Sequence, residues 1–359
     1  MFLTGKKYIQ LSEIDQATVS SPGTPLKVQR PFFDQMSLTS TRLAIAMARA
    51  TLSIDVHNQD LVFETVANFL RLQPIINAAS HNLKLNPIQT KSLRDFSLTS
   101  RIGELGQGLA YIFAQEKLKY PYVADFRGYL AKHGKPLPIR RQSTPDFVLS
   151  NQSSHNLALL ESKSGFGTNQ AEKAEIKKGL SQCESGKAII QRELKPFVVT
   201  KTFCASSNLV HALSPEESVL NYVDPSYEVA NNDFTLDLVR FHYASWFSLV
   251  GDLSNMVRLY ENAYLVQDVK YESRTFNNET FLLQPQSRFS FFLGRGPLWT
   301  LGLRRFPFVT PVRVGISEYV WTQLSQEDSK METRIFEPVS NEEAELFTDG
   351  TIVFYKNAF

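Results

Sequence analysis

The chain has 359 residues, 43% of them hydrophobic and 21% charged, with a formal net charge of +2 at neutral pH. Seventeen glycines and seventeen prolines are too few for a collagen-like or low-complexity chain, and no apolar run approaches the roughly 20 residues that a membrane-spanning helix needs. Two cysteines, Cys183 and Cys204, cannot build a multi-bridge framework or a four-thiolate zinc site, so a reducing, cytoplasmic setting is expected.

The first sixteen residues carry early acids and no apolar stretch after their lysines, unlike a secretory leader. Residues 1–35 read as irregular or β-like, with a turn cluster from Ser20 to Pro25. Residues 36–79 read as mainly helical. Thr39 or Ser40 is placed to cap one helix there, and Asn58 or Asp60 another. Thr99 or Ser100 is placed to cap a strong helix whose apolar positions Ile102, Leu105, Leu109, Ile112 and Phe113 follow the helical period. A short strand is expected over 120–126, then a basic loop. Two strands, DFVLS and NLALLES, flank a polar turn at 151–155, which is a hairpin pattern. A charged helix over about 170–192 and the apolar strand KPFVVTKTFCAS follow. The stretch 207–232, with Pro215, Pro225 and many polar residues, reads as a linker. Asn232 or Asp233 could cap a helix beyond it, and Asp349-Gly350 is a hairpin-turn signal.

The order from 100 to 206 is helix, three strands, helix, strand, which predicts an α/β core around a central mixed sheet. Three regions are expected: a helical part over 1–97, the core over 98–212, and an aromatic, β-rich α+β domain over 213–359. Charge follows a similar division. Residues 1–100 carry ten basic and seven acidic side chains, 101–210 sixteen and nine, and 211–359 twelve and twenty. A basic middle suits a polyanionic partner, and the acidic end argues against nucleic-acid contact over the whole surface.

The chemistry is concentrated in the hairpin. Asp146 opens its first strand, and Glu161 and Lys163 end its second. Residues two apart in a strand share a face, so Glu161 and Lys163 project together, and a short hairpin can bring Asp146 beside them. Two carboxylates supply hard oxygen ligands for Mg2+, with the Ser162 carbonyl as a further ligand. An ammonium at Lys163 can orient water and stabilise charge on phosphorus. The alternative is a Pro-Asp turn and an exposed pair at a strand end. The buried look of LALL, delivering Glu161 and Lys163 to a strand's C-terminal end, favours a site.

The P-D-F and E-S-K elements, in this order of helices and strands, resemble the signature of the PD-(D/E)xK nuclease superfamily, the restriction-endonuclease-like fold. The resemblance covers about residues 100–206. It implies a metal-dependent deoxyribonuclease using Mg2+, with Mn2+ as a substitute, DNA as substrate and a restriction or antiphage role. It also implies an acid on the upstream helix, matched by Glu104, and in some branches a glutamine after the lysine, matched by Gln182. The position four residues later, a tyrosine in those branches, is Gly186 here. Glu104 in a first helical turn also fits a macrodipole role, and Gln182 also fits a surface helix. Arg140, Arg141, Lys173 and Lys177, with Lys178, are candidates to follow a phosphate backbone or to form a solvated face.

No H-E-x-x-H, G-x-S-x-G or P-loop pattern occurs. Gly103, Gly106 and Gly108 would permit close packing of their helix against the sheet, the cysteines would be buried small residues, and the aromatics of 281–321 would either stack on bases or fill a β core. The reading is a metal-dependent DNA endonuclease, acting as a homodimer or with a partner protein. The alternatives are a nuclease-fold subunit of a larger DNA-processing or transposition complex, or a non-catalytic nucleic-acid-binding protein.

Overall fold

A computed structural model describes residues 6–51, 61–135, 143–151, 154–224, 235–267, 270–283, 313–326, 334–341 and 343–354. The chain divides into two units, one of residues 1–53, 64–150 and 154–233, the other of 54–63, 151–153 and 234–359. Among the described residues no helix is long and apolar enough to cross a membrane.

The first unit runs β1 (Lys7–Ile14), α1 (Gln16–Ser20), β2 (Val28–Leu38), α2 (Ser40–Thr51), α3 (Leu61–Ile75), α4 (Pro87–Ser92), α5 (Asp95–Glu116), β3 (Tyr122–Asp125), α6 (Phe126–Lys132), β4 (Phe147–Ser150), β5 (Asn156–Phe166), α7 (Lys173–Glu193), β6 (Val198–Leu209) and β7 (Val219–Val223). Its seven strands form one mixed sheet in the order β2-β1-β7-β6-β5-β4-β3. The β5–β6 and β1–β7 neighbours are parallel and the rest antiparallel.

Two features of this sheet differ from the expectation. The supposed helical region 1–97 contributes β1 and β2 to the same sheet as the hairpin, so 97/98 is not a boundary of the sheet. The supposed linker 207–232 contains β7, inserted between β1 and β6 and buried along its length. Its polar Asn221 is tolerated because the side chain donates to Asn208 Oδ1 (3.1 Å) and to the Asn169 carbonyl (3.3 Å). Asn208 in turn donates to the Gln170 carbonyl (2.9 Å), which fastens the β5–α7 connection to the sheet.

The apolar run Leu157–Leu160 lies mid-sheet and is wholly buried. It does not alternate because both sheet faces are covered. Ala158 and Leu160 join Leu105, Leu109 and Phe113 of α5 in the main core, while Ile176 of α7 packs with Cys204, Ile14 and Val19 on the other side. Each such leucine, fully buried, contributes about 1.5–3 kcal/mol. Helix α5 starts at Asp95, one turn before the expected cap, because Leu98 continues its buried stripe. Thr39 does cap α2, its Oγ1 accepting from the Arg42 N–H at 3.1 Å.

Glycines set how closely the helices approach. A Cβ on Gly106 of α5 would lie 2.6 Å from Ser164 Cβ, and one on Gly108 would lie 2.5 Å from Met47 of α2. On α7, a Cβ on Gly179 would meet Cys204 Sγ at 2.5 Å, and one on Gly186 would meet Pro145 at 2.6 Å. The residue at 186 therefore has no room for a tyrosine.

The second unit holds α8 (Asp237–Val250), α9 (Leu253–Tyr260), β8 (Glu272–Phe276), β9 (Glu279–Leu283), β10 (Arg313–Ser317), α10 (Glu318–Ser325), β11 (Val339–Ser340), β12 (Ala344–Leu346) and β13 (Thr351–Phe354). Its strands form an antiparallel sheet in the order β11-β12-β13-β10-β9-β8. Asp349-Gly350 turns the chain from β12 into β13, with Gly350 at φ 79°. The candidate caps Asn58, Asp60, Asn232 and Asp233 lie outside the described residues, as do most of the aromatics expected over 281–321.

Candidate active site

Strands β4 and β5 pair with Phe147 opposite Leu160. Extending that register by one places Asp146 opposite Glu161, and opposed residues share a face. Each acid accepts a backbone N–H from the opposite strand segment. The Asp146 N–H donates to Glu161 Oε2 at 3.0 Å, and the Ser162 N–H donates to Asp146 Oδ2 at 2.9 Å. Ser162 thus enters the site through its amide.

Lys163, two residues along β5, projects with Glu161. Its Nζ lies 2.6 Å from Glu161 Oε1 and 2.6 Å from Gln182 Oε1. Gln182 Nε2 donates to the Thr144 carbonyl at 3.0 Å, tying α7 to the segment just before Asp146. The Gly179 and Gly186 contacts bring α7 close enough for Gln182 to reach. The side chains of Glu161 and Lys163 are only 4% and 14% exposed, so this pair is shielded from bulk water.

Shielding sets the protonation. Burial pushes the Asp146 carboxyl up, against the pull of the Ser162 N–H, Lys163, Gln107 and Arg127. Burial and the facing Asp146 charge push Glu161 up to about 8, against Lys163. Burial opposes charge on Lys163, but Glu161 and Asp146 outweigh it and raise its pKa. Two nearby carboxylates that both resist ionisation leave a net demand for positive charge. Cys204 pairs with Glu161 across β5 and β6, and burial pushes its thiol up, as it does that of Cys183. Both are buried and suited to packing rather than to nucleophilic chemistry.

Glu104 and Lys173 have partners other than the acid pair. Glu104 sits on α5, but its contacts lead elsewhere: Ser100 Oγ donates to it at 3.4 Å, and Arg71 lies 3.9 Å away. The α5 residue that reaches the acids is Gln107, one turn on, whose Nε2 donates to Asp146 Oδ1 at 3.2 Å. A polar residue three positions past Glu104 on the same helix was the available signal. Lys173 is tied down, its Nζ donating to the Ser21 and Thr24 carbonyls. Lys177 is exposed on α7, and Arg140 and Arg141 lie outside the described residues.

Among the described residues no group of three or more His, Cys, Asp or Glu side chains gathers. Asp146 and Glu161 are the side chains that would hold a metal here. Two hard carboxylates, with the remaining positions left to water and substrate phosphate, fit Mg2+ or Mn2+ and do not fit zinc. The observation behind that fit is the side-by-side placing of two buried carboxylates, whose ionised forms burial disfavours and a divalent cation would stabilise.

Comparisons with protein-family models, with curated proteins and with solved structures find no match to this chain.

Proposed function

We propose that the first unit is a metal-dependent nuclease that hydrolyses DNA phosphodiester bonds, on a restriction-endonuclease-like arrangement of α5, β3–β5, α7 and β6. The observation that carries this reading is the convergence of Asp146, Glu161, Lys163 and Gln182 at the end of a buried hairpin. A scaffold that only bound nucleic acid would have no use for two facing, half-neutralised acids under a lysine.

A divalent cation held by Asp146 and Glu161 would polarise the phosphoryl group and make water more acidic. The chain's own residues do the rest. An ammonium has three donors, and Lys163 commits two of them, to Glu161 and Gln182. The third is left to orient a water or to bond a phosphoryl oxygen as its charge grows. Gln182, anchored on Thr144, fixes the lysine's direction. Gln107 and the Ser162 N–H fix the Asp146 carboxylate. Hydrolysis joins the water oxygen to phosphorus and breaks the bond to the leaving sugar oxygen, giving a phosphate monoester and a hydroxyl.

The test incubates the purified chain with supercoiled plasmid, linear duplex, single-stranded DNA and RNA in Mg2+, Mn2+ or EDTA. Metal-dependent cutting that is lost in both Lys163→Ala and Asp146→Ala is expected. Cutting that survives both substitutions would place the chemistry elsewhere, and no cutting in either metal would remove the catalytic reading.

A further inference from the structure

The acid pair has a third neighbour. Strand β3 ends at Asp125, which pairs with Phe147 across β4. The next residue, Phe126, donates its N–H to the Asp146 carbonyl at 2.9 Å. The Asp125 side chain caps α6 by accepting from the Gly128 N–H. The backbone on both sides of Arg127 is therefore fixed against the site, and Arg127 follows the Phe126 contact directly.

Arg127 is part-buried, and its charge is felt at the Asp146 carboxylate. Yet the two do not form an ion pair. The Asp146 oxygens are occupied by the Ser162 N–H and by Gln107. Among the described residues Arg127 has no hydrogen bond or ion pair of its own. Arg42, Arg71 and Arg313, by contrast, each meet a glutamate. A guanidinium carries five donors in a planar fork that matches phosphate oxygens. Partly removed from water and unmatched among the described residues, it is held ready for an anion from outside.

We propose that Arg127 is a phosphate-binding residue of this site, its guanidinium gripping a phosphoryl oxygen of the strand held at Asp146 and Glu161. The proposal rests on the nuclease reading for the identity of the strand. It places cationic donors on two sides of the scissile region, Lys163 on β5 and Arg127 on α6. The contact is to backbone, so it is blind to base sequence.

The experiment measures binding apart from cutting. Fluorescence anisotropy of a labelled duplex is followed over a salt titration, with Glu161→Gln as the non-cutting background, alone or with Arg127→Gln or Arg127→Lys. Removing one phosphate contact lowers the slope of log affinity against log salt by about 0.9. Arg127→Gln is expected to show that loss equally on unrelated sequences, whereas Arg127→Lys keeps the slope. In the otherwise native chain, Arg127→Gln is expected to slow Mg2+-dependent cutting by roughly 10²-fold. Thermal unfolding of the variants controls for folding. An unchanged slope and affinity in Arg127→Gln overturns the assignment, and if the native chain still cuts, the nuclease reading stands without it. A reduced slope in a chain that never cuts keeps the phosphate contact and removes the nuclease. A chain that binds no duplex at all removes both.

Discussion

Glu161 gives the sharpest prediction, because its raised pKa makes the metal-free fold less stable as pH rises. In the unfolded chain its carboxyl ionises near 4.5, while in the folded chain it holds its proton up to about 8. Between those values the folded state binds more protons than the unfolded one. Unfolding free energy therefore falls with pH across that window and levels off above it. A separation of about 3.5 units at 1.36 kcal/mol each is worth about 5 kcal/mol. Glu161→Gln, a neutral near-isostere, removes the Glu161 part of the titration and leaves that of Asp146, whose carboxyl pKa burial also raises. The assay is urea unfolding of both proteins in EDTA at pH 5, 6.5 and 8, followed by a signal from the first unit. At pH 5 the native chain should be the more stable. By pH 8 the difference should have moved by several kcal/mol in favour of Glu161→Gln. Asp34 and Glu272 have lowered pKa values, so their contributions are lost only in acid, below this window. Mg2+ should then restore native stability at pH 8, by about 2.7 kcal/mol at a hundredfold excess over its dissociation constant, and should do little for Glu161→Gln. Parallel pH profiles for the two proteins would refute the argument, since they would show Glu161 ionised in the fold without a metal.

Three further outcomes are expected. Gly106→Ala should destabilise by about 1–3 kcal/mol, because its Cβ would strike Ser164. Gly103→Ala on the same helix should stabilise by up to about 1 kcal/mol, since open space surrounds that position, and chemical denaturation of both separates packing from propensity. Gln107→Ala should weaken Mg2+ binding by roughly 10–100-fold with the fold intact, measured by calorimetry. Lys173→Ala should lower stability by about 1 kcal/mol while leaving duplex affinity unchanged, and Lys177→Ala should do the reverse. Equal effects in this last pair would mean that the carbonyl contacts of Lys173 do not define its role.

The hairpin was readable because its determinants are local. Asp146, Glu161 and Lys163 lie within eighteen positions; strand parity puts Glu161 and Lys163 on one face, and the short hairpin brings Asp146 beside them. Pairing between distant segments was not readable in the same way. Nothing within β1 says that its neighbour is β7, some two hundred residues on, and nothing within Val219–Val223 reveals that Asn221 will find Asn208 and Asn169. A five-residue strand with a central asparagine, next to prolines, looks like a linker until its partners are known. Within α5 the distinction is finer: Gln107, three residues past Glu104, donates to Asp146, and Gly106 lets the helix lie close against Ser164 of β5. In the second unit the β8–β9 turn was legible but passed over. Asn277 and Asn278 both take positive φ, a conformation that asparagine tolerates and that a two-residue hairpin favours.

The insertion of β7 between β1 and β6 has a consequence for how the molecule is made. The β1–β2 hairpin leaves the ribosome before the strands it will join, and its place in the sheet exists only once residues 219–223 have emerged. At roughly 5–20 residues per second, that interval is about 10–40 s. Through it the far edge of β1, with Ile9 and Leu11 on one face, stays open to any strand that comes near. The strands β3–β6, which carry the acids and the lysine, can pair earlier. The hairpin bearing the site can therefore assemble on the nascent chain while the outer strands wait, and the interval before closure is when the newborn protein is most exposed to aggregation or to a holding chaperone.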